Sequence, residues 1–138
     1  MDVDLNIARF NPDAEGKSPY RQEFNIEVNE TDTVLDGLIK IREEVDGTLA
    51  LRCSCRSAIC GSCAMRVNGQ AVLACNTKIT DLVSNKNKSI NVEPIGNMKI
   101  IKELIVEFDT HWEKIKAIDP WIKTDSSPPE AEYIASNE

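Results

Sequence analysis

No stretch of this 138-residue chain approaches the roughly 20 consecutive apolar residues that a bilayer-crossing helix requires. The first residues, Met1-Asp2-Val3-Asp4, lack the basic start and apolar centre of a signal peptide, and they are neither Arg-rich nor acid-poor like a mitochondrial leader; a leader already cleaved leaves no trace. A soluble chain that does not use that export route is the expectation. No Lys/Arg cluster is present and the formal charge is −7, which argues against nucleic acid as a partner, because phosphate binding relies on a basic face. Internal repeats and low-complexity tracts are absent. There is a single histidine, His111, far along the chain from any cysteine. With 41% hydrophobic residues the chain can bury one ordinary core.

Five cysteines stand out against this background, and none follows Cys75. Without an export signal they point to a reducing compartment, where metal or cluster ligation explains them better than disulfides. Cys55, Cys60, Cys63 and Cys75 have the spacing Cys-x4-Cys-x2-Cys-x11-Cys. The Cys-x4-Cys-x2-Cys run is the plant-type [2Fe-2S] spacing: three thiolates on one short loop and a fourth on a following strand enclose two irons and two sulfides. Gly61 permits close backbone approach, and Ser54, Ser57 and Ser62 are small enough to offer hydroxyl donors to the sulfurs beside main-chain N–H groups. Arg52, Arg56 and Arg66 either favour the reduced, more negative cluster or are solvated surface arginines. A structural zinc site is the competing reading of four cysteines, but such sites usually pair two Cys-x2-Cys arms and only one is present. Cys53 is the odd residue. As a ligand it would turn the x4 gap into x6; in an extended segment it points the same way as Cys55, so it is expected to be buried near the cluster without binding it.

The pattern around the loop predicts its scaffold. Val3, Leu5 and Ile7 alternate with polar neighbours, as do Phe24, Ile26 and Val28, which predicts two antiparallel strands joined by the turn-rich segment 11–19. Val34, Leu35, Leu38, Ile41 and Val45 fall at helical spacing after Thr31-Asp32-Thr33, with Gly47 as an expected left-handed C-cap. Asn68-Gly69 predicts a type I′ hairpin between Ala64 and Ala74 that carries Cys75 back towards Cys63. Ser89 to Val92 reads as the last strand. Ile101, Leu104, Ile105, Phe108, Trp112 and Ile115 form one helical stripe, predicting a helix over 98–118. Its early part is expected in the local core; Trp112 and Trp121 are large enough to anchor another domain or subunit. His111 reads as an ordinary helix residue. From about Asp119 the chain is Pro-, Ser- and acid-rich and reads as an extended tail. The fold expected is α+β, a β-grasp of the plant-type 2Fe-2S ferredoxin kind: domain 1–97, helical extension 98–118 and linker or tail 119–138.

The residues also resemble a known family, the iron-sulfur subunit of succinate dehydrogenase and fumarate reductase. The run from Arg52 to Gly69, then Leu73-Ala74-Cys75, is similar to that family's N-terminal cluster loop. Val92-Glu93-Pro94-Ile95, Ile100 to Ile105, and Lys116-Ala117-Ile118-Asp119-Pro120-Trp121 are similar to its later landmarks. The resemblance implies a [2Fe-2S] cluster on Cys55, Cys60, Cys63 and Cys75, with no ligand role for Cys53. It implies a flavoprotein partner subunit that holds the FAD, and a helical domain or chain carrying a [4Fe-4S] and a [3Fe-4S] cluster. Through these, electrons reach quinone at a membrane anchor, which implies a peripheral position on the cytoplasmic face of a bacterial membrane, or the matrix side in a mitochondrion. Such a chain is the electron-transfer component of an enzyme complex and has no catalytic residue of its own. The second domain's Cys-x2-Cys-x2-Cys-x3-Cys-Pro run is missing, so this chain is either one domain of a longer subunit or part of a split one. The N-terminal domain of molybdenum hydroxylases is similar in cysteine spacing, but there a helical domain with four more cysteines follows almost directly.

Overall fold

The computed structural model describes residues 1–14, 19–123 and 127. Strands β1 (Asp2–Arg9) and β2 (Tyr20–Glu27) pair antiparallel with Leu5 opposite Phe24 and Val3 opposite Ile26. The two-residue period puts Val3, Leu5, Ile7, Phe24 and Ile26 on one buried face. Helix α1 (Val34–Lys40) opens on a capping box: the Thr33 hydroxyl accepts from the Asp36 amide, and the Asp36 carboxylate accepts from the Thr33 amide. Its final turn, Ile41–Val45, widens so that the Asp46 amide reaches back five residues to the Ile41 carbonyl. The helix ends on Asp46 in extended conformation. Gly47 is not left-handed, which corrects the expected cap, because the widened turn already satisfies that carbonyl.

Strands β3 (Ala64–Val67) and β4 (Gln70–Leu73) form the expected hairpin, with Asn68 and Gly69 both at positive φ (48° and 82°) as a type I′ turn requires. Strand β5 (Ser89–Pro94) lies in the centre of the sheet, parallel to β1 and antiparallel to β3, giving the order β2-β1-β5-β3-β4. Helix α1 lies across one face, with Val34, Leu35, Leu38 and Ile41 buried on Leu5, Ile26, Ile79, Ile90 and Val92. Gly37 permits the close approach: a Cβ there would stand 3.2 Å from Leu5 and Ile26. A mixed sheet wrapped on one helix is the β-grasp.

The region after Pro94 departs from expectation. Instead of a helix from residue 98, β6 (Ile100–Lys102) and β7 (Ile105–Val106) form a small hairpin, and helix α2 (Asp109–Ile118) begins eleven residues later than residue 98. The apolar spacing fits a helix as well as a hairpin, and a buried charge decides between them. Arg9 follows Val3, Leu5 and Ile7 at the inward phase of β1 and is only 2% exposed. Its guanidinium takes the Glu103 carboxylate through Nε, Gln22 and Asp46 through Nη1, and Thr48 through Nη2. Glu103 reaches it from a left-handed turn residue (φ 52°), while its amide donates to the Phe10 carbonyl at 2.7 Å. A helix through 103 would withdraw the buried Glu103 carboxylate from Arg9 and leave only the more solvated Asp46 to balance the charge. The fold's first unit therefore runs to Phe108, with Leu104 and Val106 buried in it, while Ile101 is exposed. In α2 no residue is buried; of the expected tail, residues 124–126 and 128–138 lie outside the described residues.

Asp46 supplies a pH dependence. The Thr48 hydroxyl, and next the Arg9 guanidinium, hold its carboxyl down at about 2, against an ordinary 3.8. A folded pKa below the unfolded one stabilises the fold at every pH above about 4 and loses that contribution as pH falls towards 2. The side chain is partly solvated, so the expected stabilisation is about 1 kcal/mol. Urea unfolding of Asp46→Asn against the parent should show a constant gap at neutral pH that closes below pH 4; a gap that widens with acid contradicts this assignment.

Candidate functional site

Cys53, Cys55, Cys60 and Cys63 lie in the segment that joins the end of α1 to the β3–β4 hairpin, and Cys75 follows that hairpin. Residues 52–63 have no regular structure, and three of them turn the backbone through left-handed conformations: Arg56 (φ 54°), Ala58 (φ 58°) and Gly61 (φ 73°). Two of these are not glycine, and each costs on the order of 1 kcal/mol, which a loop tolerates only where its surroundings over-determine it. The reward is a concave run of amides: the Ser57 and Cys60 N–H groups both donate to Cys55 Sγ, at 3.3 and 3.4 Å. Ser57 therefore serves the sulfur through its amide, and its hydroxyl caps the Cys55 carbonyl instead at 3.0 Å.

The other sulfurs sit in contrasting surroundings. Ser62 Oγ stands 3.1 Å from Cys60 Sγ, and this contact, followed by backbone donors around Cys55 and Ser62, lowers the Cys60 thiol to about 6. Cys60 is thus disposed to the thiolate, the form that ligates metal. Cys63, at the foot of β3, is 3% exposed, and burial pushes its thiol up. Its carbonyl accepts from the Ala74 amide at 3.2 Å, and its thiol meets that of Cys75, which is half-buried on the helical turn Ala74–Asn76 after β4. The four thiols thus fall into two pairs, Cys55 with Cys60 on the solvent side and Cys63 with Cys75 against the sheet.

Two pairs are what a rhombic two-iron cluster takes, since each iron is completed by two protein ligands. A structural zinc ion instead needs four donors converging on one point. Among the described residues no three Cys, His, Asp or Glu side chains are gathered as a metal site, which bears equally on iron and on zinc. The amides and hydroxyl aimed at sulfur suit a donor set that carries excess negative charge.

The remaining residues separate by position. Cys53 is half-buried and packs against the apolar core. Cys53→Ser should accordingly leave the visible spectrum of a reconstituted cluster within about a tenth of the parent's, at a cost on the order of 1 kcal/mol in urea unfolding; a loss as deep as that of Cys60→Ser would make Cys53 a ligand. Arg52 donates to the Val106 carbonyl at 2.9 Å with its guanidinium 5.0 Å from the centre of the Phe108 ring. Arg66 passes beside Gly96, and Arg56 is exposed at the loop. Ile59, at the loop tip, is 84% exposed. His111 lies on α2 with its ring tilted against Trp112. The sequence carried no signal for the left-handed turns at Arg56 and Ala58, since neither is a glycine.

A family described as the 2Fe-2S iron-sulfur cluster binding domain matches residues 4–113. Among solved structures, a chain of the Mycobacterium smegmatis Sdh1 complex in the apo form superposes with a TM-score of 0.75 at 22% identity, over 99% of this chain and 54% of that one. A hypothetical protein from Helicobacter pylori superposes with a TM-score of 0.58 at 19% identity, over 88% of this chain and 22% of that one. These likenesses establish the fold. The chain spans about half the length of the mycobacterial chain it matches.

Proposed function

Since this chain belongs to the family of 2Fe-2S iron-sulfur cluster binding domains, we propose that Cys55, Cys60, Cys63 and Cys75 hold one [2Fe-2S] cluster and that the chain relays single electrons. The observation that carries this reading is the division of the four thiols into two pairs on one loop and hairpin. When bound, the cluster supplies reversible uptake of one electron. The chain's own groups manage the charge that this adds. The Ser57 and Cys60 amides and the Ser62 hydroxyl offset negative charge at the outer pair, and the sheet shields the inner pair from water. Exposure of Cys55 and Cys60 leaves the outer edge open to a redox partner.

The finer reading is that the partner is the flavoprotein subunit of a succinate dehydrogenase or fumarate reductase complex. Electrons from its FAD pass through this chain to [4Fe-4S] and [3Fe-4S] clusters in a helical domain or chain, and on to quinone at a membrane anchor. The loop and landmark residues quoted above and the likeness to a chain of an Sdh1 complex support it. Among the described residues no helix is long and apolar enough to cross a membrane. Purification from the native source tests this: a flavin-containing subunit should co-purify in equimolar amount, and rapid mixing with succinate or fumarate should change the cluster's oxidation state. A chain that purifies alone and exchanges electrons only with small soluble acceptors would point to an independent ferredoxin.

A further inference from the structure

The stem that leads into the cysteine loop, residues 49–53, belongs to neither sheet. We infer that Arg52 is a positioning residue, tying this stem to the β6–β7 hairpin and thereby fixing the outer cysteine pair. Two ties join the segments. The Leu104 amide donates to the Ala50 carbonyl at 3.2 Å, and Arg52 Nη1 donates to the Val106 carbonyl at 2.9 Å while its guanidinium plane lies over the Phe108 ring. Leu49 and Leu51 anchor the same stem in the core from the other side. The inner pair needs no such device, because Cys63 and Cys75 are set directly by the β3–β4 hairpin.

The rival role for Arg52 is a free positive charge that favours the reduced cluster. Both contacts are to neutral groups and leave the charge in place, so substitution is what separates the two roles. The two roles respond differently to substitution. Arg52→Lys keeps the charge but loses the planar fork and the stacking; Phe108→Leu keeps every charge and loses only the ring face. Under the positioning role both act alike, and under the charge role neither matters while Arg52→Gln does.

This inference rests on the [2Fe-2S] reading for its consequence but not for its first test. In the protein without cluster, hydrogen exchange at the Leu104 amide and along the stem should quicken roughly tenfold in Arg52→Lys and Phe108→Leu, with the β3–β4 amides unchanged. In reconstituted protein the same two variants should shift and broaden the electron paramagnetic resonance of the reduced cluster and release iron several-fold faster to a chelator. Wild-type exchange in both variants overturns the tie, and so does a wild-type spectrum in both once the parent has loaded its cluster. A parent that takes up no two-iron cluster overturns the proposed function instead, and the exchange measurement still decides the role of Arg52.

Discussion

Cys60→Ser should fold as the parent does and lose at least about nine-tenths of the visible absorption and bound sulfide of the reconstituted protein. Cys60 is exposed, so exchanging sulfur for oxygen removes no core packing; what it removes is a soft thiol donor that Ser62 chiefly lowers to about 6. Far-ultraviolet circular dichroism and the urea midpoint should match the parent's before reconstitution. Cys63→Ser should lose the cluster equally but also lower the midpoint. Its side chain is buried beneath the hairpin, and a hydroxyl placed there costs on the order of 1–3 kcal/mol unless it finds a partner. The contrast separates ligation from packing. If Cys60→Ser retains the parent spectrum, the outer pair does not ligate and the loop has been misread.

The largest stability effect is expected at Arg9, far from any thiol in sequence. Arg9→Met should destabilise the fold by about 3–5 kcal/mol, because it leaves the Glu103 carboxylate buried without a counter-charge and releases Gln22, Asp46 and Thr48 together. Whole domains are stable by only about 5–15 kcal/mol, so such a variant stands near the threshold of folding. Glu103→Gln alone should cost somewhat less, since an amide oxygen can still accept from Nε. The double replacement Arg9→Met with Glu103→Leu should recover part of the loss, with a coupling on the order of 2 kcal/mol in a urea-unfolding cycle. Strictly additive losses would mean that the two side chains are not coupled through this ion pair.

These two sites differ in how visibly the sequence announces them. The Cys-x4-Cys-x2-Cys run is a local signal, and so are the N-cap residues Thr31-Asp32-Thr33 and the Asn68-Gly69 turn; the structure has the last two as a capping box on Thr33 and a pair of positive φ angles. The hairpin over 100–106 is set by a partner more than ninety residues away, Arg9, and a period count over Ile101, Leu104, Ile105 and Phe108 cannot see it. A trace was nevertheless present. Arg9 continues the inward phase of Val3, Leu5 and Ile7, and a charge at such a position requires a buried counter-charge from elsewhere in the chain. The parallel pairing of β5 with β1 was illegible for the same reason: register between strands so distant is chosen by the packed core and not by any nearby turn. Within the loop, main-chain N–H donors to sulfur were expected, but which amides serve Cys55 depends on two non-glycine residues adopting positive φ.

The most direct test of the central claim is anaerobic reconstitution with iron and sulfide, followed by metal and sulfide analysis and electron paramagnetic resonance after reduction. A [2Fe-2S] relay on Cys55, Cys60, Cys63 and Cys75 predicts about two irons and two acid-labile sulfides per chain, silence when oxidised, and a signal of about one unpaired spin per chain when reduced. A colourless protein that holds one zinc ion per chain and no sulfide would contradict it.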